Sequence, residues 1–386
     1  MSFVRITLAN GSLVGYPEAG GLWTIFLQYA LGLVALGHQV LWLELFRSTG
    51  DGARDRQLIE AFFNRVRDYE LNGHYAVLVW EKDEKTLTLE RATAFGKSNT
   101  EINEWAGSSD LLWNFACAMR QPLLSLFQHR ALIDIDPGHF HVSALSWDMG
   151  QHDHQVFLTV GAKVGEADCE VPTLGLSWQP FPPFVYLPMW RAAPDPGRQA
   201  PFTSITQWNW GELWLENRVL SIAKRDAYLR YIELPQKTGR PFELAANIHP
   251  NDQTGDRELL HKGGWNLVDP HEFAASPALY QKYISRSRAE IACPKPIYRE
   301  LKTGWFSDRS ACYLASGRPV LAEDTGFSDR FPTGEGLVAF RNLEEAVAGV
   351  ADIDANYTRH SRAAGAFAEE FLDSRRCLTA MLAACA

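Results

Sequence analysis

The first half of the chain alternates short apolar runs with segments whose apolar residues recur at helical spacing. Residues 3–9 form an apolar run that predicts a strand, residues 22–36 predict a helix, and residues 39–45 predict a second strand. Residues 10–21 are rich in glycine but lack the G-x-G-x-x-G spacing of dinucleotide-binding loops, so an NAD site is not predicted. Because two parallel strands need a crossover of this kind, the βαβ unit predicts a parallel, doubly wound sheet.

The same alternation continues to residue 180. Helices are predicted at residues 53–70 and 121–128. Further strands are predicted at residues 75–80, 111–116, 130–136, 156–160 and 173–176. Together these elements predict one Rossmann-like domain over residues 1–180.

Seven prolines between residues 179 and 201 interrupt the pattern, which predicts an interdomain linker at residues 181–201. A second alternation follows over residues 202–356. Its strands are predicted at 202–206, 242–247, 265–268, 289–293, 319–322 and 336–339, and its helices at 224–232, 254–262, 276–287, 308–316 and 343–350. Residues 357–386 predict a C-terminal helix that packs back on the first domain. We therefore predict an α/β protein of two Rossmann-like domains that face each other across a cleft.

Composition narrows the function classes. The chain has 386 residues, of which 46% are hydrophobic, enough for two cores. Its net charge is −9 and it has no long basic run, so no nucleic-acid partner is predicted. The six cysteines form no C-x-x-C pair and indicate reduced thiols. The amino terminus lacks a signal-peptide pattern, and no apolar run reaches about 18 residues, which predicts a soluble, cytoplasmic protein without an integral membrane segment.

The most informative motif covers residues 302–326, K-T-G-W-F-S-D-R-S-A-C-Y-L-A-S-G-R-P-V-L-A-E-D-T-G. Ser307 is a good N-cap for a helix over residues 308–316, Gly317 ends that helix, and residues 320–322 predict a buried strand. A helix N-terminus that faces a loop offers unpaired N–H groups and a partial positive charge to a phosphate group. The motif is also compatible with an ordinary turn between a helix and a strand.

The motif resembles the donor-sugar segment of glycosyltransferases with the GT-B fold, especially the GT4-like bacterial branch. In these families an acidic residue opens a helix that ends in small-Gly-x-Pro-Val, and residues 316–320 of this chain read S-G-R-P-V. The pair Gly20-Gly21 and the triplet at residues 36–38, L-G-H, resemble the amino-terminal segment of the same families. The resemblance implies that the second domain binds a nucleotide-sugar donor and that the first domain binds an acceptor.

The resemblance also implies individual donor contacts. Asp308 would bind the ribose hydroxyls, although the resembling families normally carry Glu there. Backbone N–H groups and basic side chains would bind the diphosphate. The predicted donor-binding residues are Gly20, Gly21, Lys224, Arg225, Lys302, Gly304, Trp305, Ser307, Asp308, Arg309, Ser310, Thr325 and Gly326. The alternatives are that Asp308 and Arg309 are ordinary polar residues at a helix start, and that Lys224 and Arg225 are ordinary charged residues on the solvent-facing surface of a helix.

Polar residues also cluster between Asp134 and His141, in the sequence D-I-D-P-G-H-F-H. One interpretation is a divalent metal site, because an apolar strand that ends in Asp-x-Asp resembles the signature of GT-A glycosyltransferases and the nearby histidines could bind zinc. We favour another, since a turn follows at once and a GT-A fold would leave the second alternation unexplained. No metal and no cofactor is therefore predicted. Asp136 and His139 are the predicted catalytic residues, and either could accept the acceptor proton if the reaction inverts the anomeric centre.

These observations predict a glycosyltransferase that moves a sugar from a nucleotide-diphosphate sugar to a hydroxyl or another nucleophile. The acceptor could be a small molecule, a glycan or a peptide, and the sequence leaves the oligomeric state open. Two alternatives remain. One is a nucleotide-sugar epimerase of the same fold, and the other is a non-catalytic sugar- or nucleotide-binding protein.

Overall fold

The computed structural model of the chain describes residues 3–11, 13–249 and 251–386. The strands of its first sheet are β1 (Arg5–Asn10), β2 (Gln39–Arg47), β3 (Tyr75–Trp80), β4 (Thr93–Phe95), β5 (Leu111–Phe115), β6 (Arg130–Asp134), β7 (Val156–Thr159) and β8 (Trp178–Pro180). Their spatial order is β4-β3-β2-β1-β5-β6-β7-β8, and β3 and β4 form the antiparallel pair in an otherwise parallel sheet. The accompanying helices are α1 (Gly20–Ala35), α2 (Gly52–Asp68), α3 (Asn99–Gly107) and α4 (His139–Ser143).

The second half of the chain builds a parallel six-stranded sheet and a separate hairpin. Its strands are β9 (Phe202–Thr206), β10 (Glu212–Leu215), β11 (Arg218–Ser221), β12 (Phe242–Ala246), β13 (Trp265–Val268), β14 (Ala289–Ala292), β15 (Val320–Glu323) and β16 (Leu337–Phe340). The sheet order is β13-β12-β9-β14-β15-β16, and β10 pairs with β11 as the hairpin. The helices are α5 (Lys224–Leu229), α6 (Leu234–Thr238), α7 (Asp256–Lys262), α8 (Pro270–Ala274), α9 (Pro277–Arg286), α10 (Pro296–Glu300), α11 (Asp308–Ala315), α12 (Leu343–Ala355), α13 (Tyr357–Phe371) and α14 (Ser374–Ala384).

The predicted fold class is confirmed, since both sheets are built by strand–helix alternation. Two local predictions in the first half are wrong. The helix expected at residues 121–128 is one 3₁₀ turn at Leu123–Leu126, because so short an apolar segment cannot extend a helix by itself. The strand expected at residues 173–176 is a turn, because Leu174 and Gly175 adopt positive φ angles of 60° and 72°.

The C-terminal segment is two helices where one was predicted. Helix α13 ends at Phe371, and the Asp373 side chain caps α14 by accepting a hydrogen bond from the Arg375 N–H at 3.0 Å. The α13 helix packs on α11 of the second half, whereas α14 packs on α1 of the first. Leu378 of α14 lies so close to Gly32 that a Cβ there would come within 2.5 Å of it. The crossing back to the first sheet is therefore made by α14.

Large apolar side chains fill both faces of each sheet. Trp23 of α1 and Trp42 of β2 are buried in the first core, and Trp265 of β13 is buried in the second. A further apolar cluster joins the two halves, and it contains Phe140 of α4 together with Ile297 of α10. This shared cluster holds the loops of the two sheets against each other.

Candidate functional site

The loops at the carboxyl edges of the two sheets meet. Gly161, which lies beyond β7, forms a backbone bridge with Trp305, which precedes α11. Ile297 and Leu301 pack beside Phe140 in the shared apolar cluster. Ligand sites of doubly wound sheets lie beyond the carboxyl ends of their strands, so ligand-binding and catalytic residues are expected in this contact zone.

Asp136 lies just beyond β6 and links the two domains. Its carboxylate accepts hydrogen bonds from Lys295 Nζ and the Tyr298 hydroxyl of the second domain, and from His139 Nδ1 at 3.2 Å. Burial acts to raise the pKa of the Asp136 carboxyl, but the charge of Lys295 and the hydrogen bond from His139 outweigh it, so this pKa lies well below its usual range. Because so acidic a carboxylate is a poor proton acceptor, Asp136 is better suited to position His139 than to act as the base.

His139 is the first residue of α4, and its side chain is partly exposed. Asp136 engages its Nδ1 atom, while its Nε2 atom has no hydrogen-bond partner among the described residues. A histidine held through one ring nitrogen by a carboxylate presents the other nitrogen in a defined direction. This is the arrangement that a general base requires.

Asp134, the first carboxylate of the D-x-D sequence, points into the protein. It is fully buried, accepts a hydrogen bond from Thr159 Oγ1 at 2.7 Å, and pairs with His141 Nε2 at 3.2 Å. The two carboxylates therefore have different side-chain partners, although Asp134 Oδ1 also accepts a hydrogen bond from the Asp136 N–H at 2.9 Å. Within residues 3–11, 13–249 and 251–386, no three His, Cys, Asp or Glu side chains are grouped as metal ligands.

A group of cations lies near Trp305 in the second domain. Lys224, the first residue of α5, places its ammonium 5.4 Å from the centre of the Trp305 ring and pairs with no carboxylate in the part of the chain that the structure describes. Burial lowers the pKa of the Lys224 ammonium well below its usual range, and the positive charges of Arg309 and Lys295 lower it further. Of the nearby carboxylates, Glu290 attracts Lys224 without pairing with it, so a bound anion would stabilise the charged form of this lysine, which indicates a site for an anion.

The two predicted arginines differ in what they bind. Arg225 donates through Nε and Nη2 to the buried carboxylate of Asp256, at 2.7 and 2.8 Å, so its guanidinium is committed to a structural ion pair. Arg309 donates through Nε to Glu290 and through Nη1 to the Ile205 carbonyl at 2.7 Å. Its Nη2 atom is buried without a hydrogen-bond partner among the described residues. Because a buried donor without a partner is costly, this atom is suited to a ligand.

Polar groups collect at the start of α11. Ser307 is its N-cap, as predicted, and its hydroxyl accepts from the Arg309 N–H at 3.2 Å. Burial raises the pKa of the Asp308 carboxyl to about 6, and no described cation pairs with it. The Ser310 hydroxyl is buried and has no partner within the described chain. The helix start therefore offers N–H groups, a hydroxyl and a carboxyl with unused hydrogen-bonding capacity.

The predicted residues Gly304, Thr325 and Gly326 lie in the domain contact. A Cβ at either glycine would approach the side chain of Lys163 in the first domain to 2.8 Å, and their φ angles are 69° and 100°. Thr325 Oγ1 donates to the Trp305 carbonyl at 2.6 Å. These positions need glycine for close approach, and they hold the loop that carries Trp305.

The remaining predicted residues lie elsewhere in the contact zone. Gly20 and Gly21 begin α1, and a Cβ at Gly20 would lie 2.3 Å from the Ala274 carbonyl oxygen of the second domain. Lys302 is exposed, and its charge acts on Asp168 of the first domain. The structure thus groups Lys224 and Arg309 near Trp305 but does not place Lys302 with them.

Two residues of this zone escape prediction from the sequence. Lys295 and Tyr298 both contact Asp136, and they lie in the segment C-P-K-P-I-Y that follows β14. Their one signal is that they follow a predicted strand, where ligand-facing loops occur. Pro296 at the first position of α10 could also have indicated that short helix.

No protein-family model matches the sequence, and no curated protein is significantly similar to it. Solved structures do match. Anabaena Alr3699/HepE in complex with UDP and glucose matches with a TM-score of 0.55 at 12% identity, over 98% of this chain and 99% of that chain. A glycosyltransferase from Rickettsia africae ESF-5 matches with a TM-score of 0.53 at 12% identity, over 100% and 98%. AviGT4, a glycosyltransferase involved in avilamycin A biosynthesis, matches with a TM-score of 0.54 at 12% identity, over 99% and 97%.

The chain has the GT-B fold. The matches cover both Rossmann-like domains, so they confirm the architecture that the sequence predicts. At 12% identity they establish the fold, and the activity has to be argued from the residues of the site. Within the described residues, no helix has the length and apolar character needed to span a bilayer.

Proposed function

We propose that the protein is a glycosyltransferase that moves a hexose-type sugar from a nucleotide-diphosphate sugar to a nucleophile of an acceptor. The observation that carries this proposal is Lys224, whose partly buried ammonium lies with the cations Lys295 and Arg309 and has no carboxylate partner in the described chain. Lys295 and Arg309 are each paired with one carboxylate, Asp136 and Glu290, so a diphosphate supplies the negative charge that Lys224 lacks. On the GT-B fold this group lies at the carboxyl edge of the second sheet, where doubly wound sheets bind ligands.

The start of α11 completes the donor site. Its N–H groups and Arg309 Nη2 bind phosphate oxygens, and the Asp308 carboxyl accepts hydrogen bonds from ribose hydroxyls. UDP is the first nucleotide to test, because the Anabaena structure of the same fold is a complex with UDP and glucose.

The reaction follows from these positions. The acceptor hydroxyl attacks the anomeric carbon while the bond from that carbon to the diphosphate oxygen breaks, and the nucleoside diphosphate leaves with the electron pair. His139 Nε2 takes the acceptor proton in an inverting reaction, with Asp136 orienting the ring through Nδ1. Lys224, Lys295 and Arg309 stabilise the departing charge, so we propose that no divalent metal is needed.

Thermal shift against UDP, dTDP, GDP and ADP is the first test, because a ligand at about 100 times its dissociation constant adds about 2.7 kcal/mol of stability. The matching nucleotide sugars are then incubated with the protein, with and without a pool of acceptors, and Lys224→Met is the control. We expect acceptor-dependent release of the nucleoside diphosphate. An isomerised donor would indicate an epimerase, and binding without turnover a non-catalytic protein. No binding of any nucleotide would contradict the donor site itself.

A further inference from the structure

We propose that the acceptor is an apolar molecule that carries an anionic group, and that it binds in a cavity of the first domain. This inference rests on the proposed glycosyltransferase function, because it names the class of acceptor for the same reaction.

The cavity lies at the carboxyl ends of β1, β2, β3 and β5 and has a volume of about 590 Å³. This is within the range of small-molecule sites. Ile135 lines it, and the next residue is Asp136, which orients His139. A molecule in this cavity is therefore bound at the same edge of the first sheet as the proposed catalytic residues, although neither Asp136 nor His139 lines the cavity itself.

The walls of the cavity are largely apolar. Phe26 of α1, Phe46 of β2, Trp80 of β3 and Phe115 of β5 all line it. None of its described lining residues is acidic. Apolar walls of this kind favour a ligand with a ring or a hydrocarbon chain, because burying that surface away from water is favourable.

Two exposed arginines, Arg47 and Arg120, line the same cavity. Arg47 donates to the backbone carbonyl of Glu84, and Arg120 Nη2 lies 3.9 Å from Met149 Sδ. Neither guanidinium forms an ion pair with a carboxylate in the described part of the chain, unlike Arg225 in the second domain. Two unneutralised guanidinium groups beside an apolar cavity complement an anionic group on an apolar body.

The backbone at this cavity is strained, which is an independent observation. Ala116 and Cys117 are consecutive non-glycine residues with φ angles of 49° and 56°, and both line the cavity. The fully buried Asn114 holds this turn by two hydrogen bonds to the backbone of Met119, at 2.7 and 2.9 Å. Left-handed conformations of non-glycine residues are costly and concentrate at functional sites. The turn immediately precedes Arg120, so the backbone conformation of the turn determines the position of that arginine at the cavity.

The test measures binding of 2-naphthyl phosphate, decyl phosphate, 2-naphthalenemethanol and inorganic phosphate by calorimetry. Wild-type protein is compared with Arg47→Gln, Arg120→Gln, the double variant and Arg56→Gln, which changes an exposed arginine outside the cavity. Each measurement is repeated in the Lys224→Met background, which weakens phosphate binding at the donor cations, so that phosphate binding lost in the Arg47 and Arg120 variants is assigned to the cavity. UDP affinity is measured separately, so a failure of the donor site is distinguished from a failure of this proposal.

We expect at least one of the two apolar phosphates to bind about tenfold or more tightly than the neutral alcohol and inorganic phosphate, and the double arginine variant to lose that preference. The naphthyl and decyl probes then distinguish an aromatic acceptor from a lipid phosphate. The proposal is overturned if charged and neutral probes bind equally, if the double variant binds like Arg56→Gln, or if inorganic phosphate alone binds as tightly as the apolar phosphates. It is also overturned if no apolar probe binds.

Discussion

The carboxylates at the carboxyl end of β6 and the lysine at the start of α5, on the two sides of the cleft, differ in whether their charges are paired. In the first domain, Asp134 is buried with Thr159 and His141, and Asp136 is already paired with Lys295. In the second domain, Lys224 lacks a carboxylate partner within the described chain. The difference fits the proposed roles, in which the second domain binds the charged donor and the first domain orients the base at the sheet edge that also carries the apolar cavity.

The same contrast appears within two consecutive residues. Lys224 and Arg225 both begin α5, but Arg225 is neutralised by Asp256 while Lys224 faces Lys295 and Arg309. Neighbouring cations on one helix can therefore have unrelated roles, and substitutions can separate them.

The largest effect is expected on the side that orients the base. His139→Ala should lower turnover by about 10²–10⁴, the range of general-base catalysis, and leave nucleotide affinity nearly unchanged. Asp136→Asn should lower turnover by an amount in the same range, because the carboxylate that holds His139 Nδ1 is lost. Single-turnover rates on folded protein, with UDP affinity measured by calorimetry, check both. His152→Ala, an exposed histidine of the same domain, is the control. If His139→Ala behaved like that control, His139 would have only a structural role at the start of α4.

The next effect sharpens the comparison of Lys224 with Arg225. Lys224→Met should weaken UDP binding by about 10–100-fold, the loss of one charged hydrogen bond. The free energy of unfolding of this variant should stay the same or increase, because a cation without a carboxylate partner is removed. Arg225→Gln should instead lower the free energy of unfolding by about 1–3 kcal/mol, because the buried Asp256 loses its cationic partner and keeps the Trp208 Nε1 hydrogen bond, while UDP affinity per folded molecule stays constant. Calorimetry and denaturant unfolding measure the two quantities. Equal losses of affinity in both variants would break the distinction.

The architecture could be predicted from the sequence because the alternation of strands and helices depends on local patterns of apolar residues. Strands β3, β9 and β13 lie where their apolar runs predict them. The hairpin β10–β11 is missed, because Trp214 and Val219 are exposed and give no signal of a buried strand. The C-terminal break at Asp373 is missed because an amphipathic pattern continues on both sides of it.

The site is predicted less completely because its chemistry depends on remote partners. Lys295 contacts Asp136 across 159 residues of sequence, and no local pattern indicates that pair. Whether an arginine is committed to structure likewise depends on distant carboxylates, Asp256 for Arg225 and Glu290 for Arg309. Residue type and position after a strand therefore identify candidates, and only the fold shows which charges remain without a partner.

A smaller effect is expected at Asp308, where burial raises the pKa from 3.8 to about 6. The folded state binds this proton more tightly than the unfolded state, so stability is lost as the pH rises between those values. Asp308→Asn should therefore raise the free energy of unfolding at pH 7.5, by at most about 3 kcal/mol for two pKa units, and by less at pH 4.5. Denaturant unfolding at both pH values checks this, with the exposed Glu272→Gln as the control. An equal change at the two pH values would contradict a buried carboxyl.

The same position tests the donor site. Asp308→Ala should weaken UDP binding several-fold, by about 1 kcal/mol, because one hydrogen bond to the ribose is lost. Calorimetry on the folded variant measures this. An unchanged affinity would remove Asp308 from the donor site and leave the cation group as its main determinant.

The smallest effect is expected from metal removal. If Lys224, Lys295 and Arg309 supply the charge that stabilises the departing diphosphate, EDTA should leave turnover unchanged. Loss of activity in EDTA and its recovery with manganese would instead support a divalent cation, and Asp136 would be the first carboxylate to test by substitution.

The Lys224→Met variant makes the test more specific, because an added divalent cation can replace part of the lost charge. Manganese should therefore stimulate this variant more than the wild-type protein. Equal stimulation of both would show that the metal acts independently of the cation group.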